Sequence, residues 1–126
     1  MKLENQVCGL DLAKRLKELG VKQESLFWWV DAYENYKITS EAYNEDWVVR
    51  SEKNGFSNIS DDKKCSAFTV AELGEMLPEN VCWRDYRKGY GKWGFNWGDF
   101  RAEADTEANA RAKMLVYLLE NKLIKL

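Results

Sequence analysis

The residues best suited to binding another molecule are concentrated in one aromatic and basic stretch, residues 81–102. This stretch carries five Arg or Lys residues and two Asp residues, whereas the whole chain has a net charge of −2. Aromatic rings stack on nucleobases at roughly 1–3 kcal/mol each, and Arg and Lys bind phosphates. We therefore take as candidate ligand- or partner-binding residues Arg84, Arg87, Lys88, Tyr90, Lys92, Trp93 and Trp97.

The same stretch has the pattern of a β-hairpin. Trp93, Phe95 and Trp97 alternate with small or polar residues, which is typical of a strand with one apolar face. Residues 81–86 and 93–97 are predicted to pair antiparallel across a glycine-containing loop, with residues 100–104 continuing as a further extended segment after a Gly98-Asp99 turn. The aromatic face has two interpretations: a binding surface, or the inner face of a sheet whose charges only keep the loop soluble.

Motifs for cofactor binding and catalysis are not supported. Gly89, Gly91 and Gly94 match G-x-G-x-x-G, but the dinucleotide fingerprint needs a helix after it, and an aromatic strand follows here. No P-loop pattern occurs, and the chain contains no His. General acid–base chemistry would fall to carboxylates, Tyr, Lys or a perturbed Cys, and no spacing groups these residues around a nucleophile. We expect no cofactor and no enzymatic activity.

The cysteines do not indicate a metal or a disulfide framework. Cys8, Cys65 and Cys82 are odd in number and far apart in the sequence. Zinc sites draw on clustered Cys and His, and disulfide scaffolds need even counts at higher density. We therefore expect reduced and mostly buried thiols, with no metal bound.

Composition predicts one domain, 1–126, because a chain of 126 residues can build a single core. The sequence pI of about 5.3 argues against a surface made to coat nucleic acid, although a local basic patch remains compatible with it. The chain has no apolar run of membrane-spanning length, and its first residues lead directly into a charged amphipathic segment. We expect neither a membrane span nor a signal peptide, and a cytoplasmic location.

The N-terminal part is predicted to form an amphipathic helix. Four apolar residues fall on one face at helical spacing: Leu12, Ala13, Leu16 and Leu19. Gly20 follows the last of them, and Val21 comes next. This order predicts a left-handed C-terminal cap with a hydrophobic contact behind it.

The second predicted helix has explicit start and stop signals. Thr69 and Glu72 have the spacing of a capping box, and Phe68 and Leu73 stand at the positions of a hydrophobic staple. Pro78 prevents the helix from continuing. Its inward stripe is predicted to consist of Val70, Leu73 and Leu77.

A third helix is predicted to begin at Asp105 or Thr106, with Asp105 capping its free amides. Glu107 then lies in the first turn, near the positive end of the helix dipole. Small residues precede large ones, so the start of this helix can approach a sheet closely. Its inward stripe is predicted to consist of Ala108, Ala112, Leu115, Leu119 and Leu123.

Residues 26–30, Leu-Phe-Trp-Trp-Val, predict a central or heavily covered strand, with residues 33–39 and 47–49 as its expected partners. Asn54-Gly55 is a two-residue turn signal, and residues 51–64 are predicted to form an exposed polar connection. The order α-β-β-(β)-α-β-β-α predicts an α+β fold. In it, three helices pack on one antiparallel sheet of about four to five strands.

Three stretches carry a resemblance to known proteins: residues 12–25, residues 67–78 (Ala-Phe-Thr-Val-Ala-Glu-Leu-Gly-Glu-Met-Leu-Pro) and residues 104–124. They resemble small uncharacterised proteins of bacteriophages and prophages, similar to the phage ABA-sandwich group. The likeness covers about half the chain and lies in structural helices. The resemblance implies an α+β sandwich and a small accessory protein of a phage or mobile element, active in the cytoplasm of the bacterial host cell. It carries no catalytic motif.

The expected function follows from this origin and from the aromatic content. We expect a non-enzymatic accessory protein that binds a bacterial host protein. The alternative is binding of a nucleotide or single-stranded nucleic acid through the aromatic and basic hairpin 83–101. Because exposed aromatic surface usually marks contact sites, a homodimer is a further expectation.

Overall fold

The computed structural model describes residues 2–31, 47–51, 61–79, 82–87 and 92–126. Within these residues the chain is an α+β protein, as predicted. Its elements follow the order α1 (Leu10–Glu18), β1 (Phe27–Asp31), β2 (Trp47–Ser51), β3 (Lys64–Ser66), α2 (Val70–Met76), β4 (Cys82–Arg87), β5 (Lys92–Trp97), β6 (Phe100–Ala104) and α3 (Glu107–Glu120).

The described strands form two antiparallel sheets of three strands each, so the prediction of one sheet with four to five strands was wrong. The first sheet has the order β2-β1-β3, and β1 is central as predicted. The third strand of this sheet, β3, was not predicted, because it has only three residues and directly follows a polar segment. The predicted partner strand at 33–39 and the Asn54-Gly55 turn lie outside the described residues.

The second sheet has the order β4-β5-β6 and confirms the predicted hairpin pairing. In β4 and β5, Tyr86 pairs with Trp93 and Arg87 pairs with Lys92. β5 and β6 meet at a tight turn, where Trp97 pairs with Phe100. Gly98 in this turn has φ +54°, a left-handed conformation that glycine adopts without steric cost.

The predicted signals at the ends of α1 and α2 are confirmed. After α1, the amide of Val21 donates to the carbonyl of Leu16, and Gly20 has φ +90°, which together form a Schellman-type cap. At the start of α2, the amide of Glu72 donates to Thr69 Oγ1 at 3.2 Å. In return, the amide of Thr69 donates to Glu72 Oε1 at 2.9 Å, which completes the capping box.

Helix α3 is buried on two different faces. Its first face belongs to the first core, which is shared with α1, α2 and the first sheet, and consists of Ala108, Ala112 and Leu115. Its second face packs on β5 and β6 in a second core, and consists of Ala110, Met114 and Leu118. At about 100° per residue the mean directions of the two sets differ by about 130°, so together they cover a wider arc than a single stripe. The first face was predicted, and the second was missed.

Two predictions about α3 need correction. Leu123 lies beyond the end of the helix and is 47% exposed, so it is not a core residue. The N-terminal cap is Thr106 rather than Asp105, because Thr106 Oγ1 accepts the amide of Asn109 at 3.1 Å. Asp105 is exposed and forms an ion pair with Lys92 instead.

Candidate binding site

The strongest candidate site is a cavity of about 360 Å³ between the N-terminal segment, the starts of α2 and α3, and β5. This volume lies at the lower end of the range typical of small-molecule sites. We call it the helix-start cavity. It is lined by Asn5, Gln6, Thr69, Val70, Ala71, Trp93, Asp105, Thr106, Glu107 and Ala108.

Caps and a bridge position the residues around the cavity. Thr69 and Thr106 each accept a hydrogen bond from the third residue of their helix, which fixes where α2 and α3 begin. An isolated antiparallel bridge between Val7 and Thr69 places the N-terminal segment beside α2. Two helix starts and the N-terminal segment therefore meet at one place.

The burial of the lining residues shows which side of the cavity is closed and which side opens to solvent. Ala108 is fully buried, so it lies at the closed side, whereas Ala71 is exposed and lies at the opening. The small size of Ala108 and Ala71 leaves the space that a larger side chain would fill. Trp93 and Val70 add apolar surface, and Asn5 and Gln6 add polar groups.

The charged residues of the cavity are already engaged in ion pairs. Lys92 Nζ lies 2.6 Å from Asp105 Oδ1, and this pairing lowers the pKa of the Asp105 carboxyl and raises the pKa of Lys92. Glu107 Oε1 accepts from Arg111 Nη2 at 3.2 Å within α3. Arg111 in turn has its guanidinium carbon 5.0 Å from the ring centroid of Phe95. The cavity therefore offers paired rather than isolated charges.

The structure separates the candidate residues of β5. Trp93 lines the helix-start cavity, and Lys92 adjoins it through Asp105. Trp97 packs against the second core with Phe100, about 13 Å further along the strand at the usual rise per residue. Phe95 between them is 4% exposed. Trp93 and Trp97 are thus not brought together at one ligand.

The remaining candidates cannot be placed at the cavity. Arg84 and Arg87 belong to β4, whose backbone is described, and Arg87 pairs with Lys92 in the register. Lys88 and Tyr90 lie outside the described residues. The predicted hairpin is therefore present as the strand pair β4 and β5. Among its described residues, Trp93 lines the cavity.

Sequence reasoning missed most of the cavity. The caps at Thr69 and near Thr106 were recognisable, but no sequence signal indicates that α2 and α3 begin at the same place. Asn5 and Gln6 precede the first periodic segment and carry no motif. Ala71 and Ala108 look like ordinary helix residues, and only the fold gives them a role.

The cysteines in the described core behave as buried thiols. Burial raises the pKa of Cys8 to about 12 and that of Cys65 to about 11, because ionisation would place a charge in an apolar core. Across the described parts of the chain, no group of three or more His, Cys, Asp or Glu residues could hold a metal ion. None of the helices in these residues combines the length and the apolar composition that a membrane span requires.

Comparison of the chain with models of protein families, with curated proteins and with solved structures gives no match.

Proposed function

We propose that this chain is a non-enzymatic accessory protein of a phage or mobile element that binds a bacterial host protein. We further propose that the helix-start cavity receives an apolar side chain of that partner. The observation that carries the proposal is the cavity itself, which joins an aromatic side chain, Trp93, to small apolar residues and a few polar groups. Pockets of this kind accept the anchor side chains that dominate protein interfaces.

The ion pairs at the cavity favour a partner side chain that carries no charge. Asp105 is paired with Lys92, and Glu107 is paired with Arg111. A charged side chain entering the cavity would lose water and compete with these pairs, which is costly in a partly buried site. An aromatic or aliphatic side chain would instead gain contact with Trp93 and Val70.

Several features support a role without catalysis. The chain has no His, and Cys8 and Cys65 are buried with raised pKa values, so neither of these two thiols is activated as a nucleophile. The carboxylates at the cavity are held by cations rather than placed beside a nucleophile. These features support binding as the task of the site.

The alternative proposal, binding of a nucleotide or single-stranded nucleic acid by the hairpin, keeps one supporting observation. The pairing of Arg87 with Lys92 places two basic residues opposite each other near the hairpin end. Against it, Lys92 is engaged with Asp105, and Phe95 is buried in the second core. We therefore rank it second.

The proposed function is tested by capture from a bacterial lysate, mass spectrometry, and measurement of the affinity of the captured protein. The key variant is Ala71→Trp, which places a large side chain at the cavity opening on an exposed position. Glu18→Trp is the matched control, because Glu18 is exposed at the C-terminal end of α1 and does not line the cavity.

We expect one host protein to bind wild type and Glu18→Trp and to lose most of its affinity for Ala71→Trp, with circular dichroism unchanged. Equal binding to all three proteins would contradict the role of the cavity. The nucleic-acid alternative is tested by fluorescence titration with single-stranded oligonucleotides and nucleotides. Saturable binding that disappears when Arg87, Lys88 and Lys92 are all replaced by Gln would reverse the ranking.

A further inference from the structure

A second concave surface lies along a different face of α2. It is a groove of about 270 Å³ with Val21, Phe68 and Met76 among its lining residues. Val21 and Phe68 are buried and form the bottom of the groove. Its volume is below the range usual for small-molecule sites, so it suits one inserted side chain better than a whole metabolite.

One exposed leucine lines this groove, and the backbone amide of a second lies beside it. Leu126 lines it and is 62% exposed, and Leu26 is 65% exposed. The amide of Leu26 donates to Glu72 Oε2 at 3.1 Å, which places Leu26 beside the groove as well. Single exposed leucines need no explanation, but apolar side chains that extend a groove onto the surface indicate a contact site.

The charges around the groove are mainly negative. Glu24, Glu72 and Glu75 line it together with one cation, Lys22, which is 3.1 Å from Glu24. Glu24 and Glu75 are exposed, so they surround the apolar bottom at the surface. This arrangement differs from the helix-start cavity, where each carboxylate is held by its own cation.

We propose that the groove, which we call the acidic groove, binds a basic amphipathic segment of a partner protein. One leucine- or methionine-like side chain of that segment occupies the groove and contacts Phe68 and Met76. Its Lys or Arg residues lie against the exposed carboxylate of Glu75, because complementary charges at an interface rim guide and orient association. The inference rests on the proposed function in taking a protein as the ligand, but it concerns a different surface.

The test uses fluorescence anisotropy with two labelled synthetic peptides that share a helical leucine stripe. One carries Lys at its polar positions, and the other carries Glu. The protein variants are Glu75→Lys, its charge-matched control Glu18→Lys, and Leu26→Ser. Ala71→Trp is included to separate the acidic groove from the helix-start cavity.

We expect the Lys peptide to bind wild type in a saturable and salt-sensitive way and the Glu peptide not to bind. Glu75→Lys should weaken binding by about tenfold and Leu26→Ser by a few-fold, whereas Glu18→Lys and Ala71→Trp should leave it unchanged. This pattern would support the inference even if the captured host protein proved insensitive to Ala71→Trp.

Three results would overturn the inference. Equal loss in Glu75→Lys and Glu18→Lys would show attraction to overall charge only. Loss in Ala71→Trp but not in Glu75→Lys would place the peptide in the helix-start cavity, so that the proposed function would stand and this inference would fall. Self-association in sedimentation that Leu26→Ser abolishes would show that a second copy of the chain occupies the groove.

Discussion

The two buried faces of α3 differ in what they pack against and in how visible they are in the sequence. The first face packs on α1 and α2, and its spacing from Ala108 to Leu115 was predicted. The second face, from Ala110 to Leu118, packs on β5 and β6 and was not predicted. A helix that is apolar on two sides has no single stripe, so a search for one stripe finds only half of its contacts.

The comparison also explains where the helix-start cavity comes from. Ala108 belongs to the first core, whereas Trp93 packs against the second core, and both residues line the cavity. The first turns of α3 carry small residues on both faces, so the side chains there are too short to fill the space between α2 and β5. The cavity therefore lies at the end of α3 where its side chains are smallest.

The largest expected effect tests whether both faces of α3 are true cores. Leu115→Ala on the first face and Leu118→Ala on the second should each lower the free energy of unfolding by about 2–5 kcal/mol, because both side chains are fully buried. Chemical denaturation measures both changes. The control is Leu123→Ala, which should change stability by less than about 0.5 kcal/mol at its exposed position.

A loss confined to Leu115→Ala would break the comparison, since it would show that β5 and β6 do not pack on α3. A loss as large in Leu123→Ala would restore the single stripe that the sequence predicted.

The next prediction concerns the effect of pH on the first core, which contains the two buried cysteines. Cys8 and Cys65 lie in the first core, where their pKa values are about 12 and about 11, against an ordinary value of 9.0. Above pH 9 the unfolded thiols lose protons that the folded thiols keep. Stability should therefore fall with rising pH, by up to about 1.4 kcal/mol per thiol and pH unit, until the folded pKa values are reached.

The measurement is the unfolding midpoint between pH 8 and about pH 11, in wild type and in a Cys8→Ala, Cys65→Ala double variant. The double variant removes both thiols and leaves every other titrating group in place. A difference between the two proteins that does not change with pH would contradict the buried-thiol account.

A smaller effect concerns the two caps at the helix-start cavity. Thr69→Ala and Thr106→Ala should each lower the free energy of unfolding by about 1 kcal/mol. Each substitution removes the hydroxyl that accepts a hydrogen bond from a backbone amide in the first turn of the helix. Asp105→Ala should cost less than Thr106→Ala, in contrast to the sequence-based prediction that Asp105 is the cap. Thermal unfolding of the three variants gives the order, and a larger loss in Asp105→Ala would restore the original prediction.

The smallest expected effect is at the ion pair beside Trp93. Lys92→Gln should leave stability unchanged within error, since exposed ion pairs contribute little and are screened by salt. The thermal midpoint at low and at high salt measures this. A clear loss at low salt would show that the pair helps to hold β5 against the start of α3.

The sequence predicted the elements with strong local signals. The capping box of Thr69 and Glu72 and the glycine cap at Gly20 depend on residues a few positions apart, so their chemistry is readable from the chain. The alternation of Trp93, Phe95 and Trp97 also predicted the strand. Whether their face was buried depended on α3, which lies elsewhere in the sequence.

The parts that could not be predicted depend on long-range contacts. β3 is three residues long, so it has no periodicity of its own, and it exists through its pairing with β1. The helix-start cavity combines residues from four separate segments and has no motif. The ion pair between Lys92 and Asp105 could not be predicted either, because the two residues become neighbours only through the pairing of β5 with β6.

The most direct test of the central claim is an indole titration followed by amide NMR, with indole standing in for an aromatic anchor side chain. We predict saturable shift changes concentrated at residues 69–71 and 106–108 and at the Trp93 indole, which Ala71→Trp abolishes and Glu18→Trp leaves intact. Changes that persist in Ala71→Trp, that centre on residues 82–87, or that are absent altogether would contradict the helix-start cavity as the binding site.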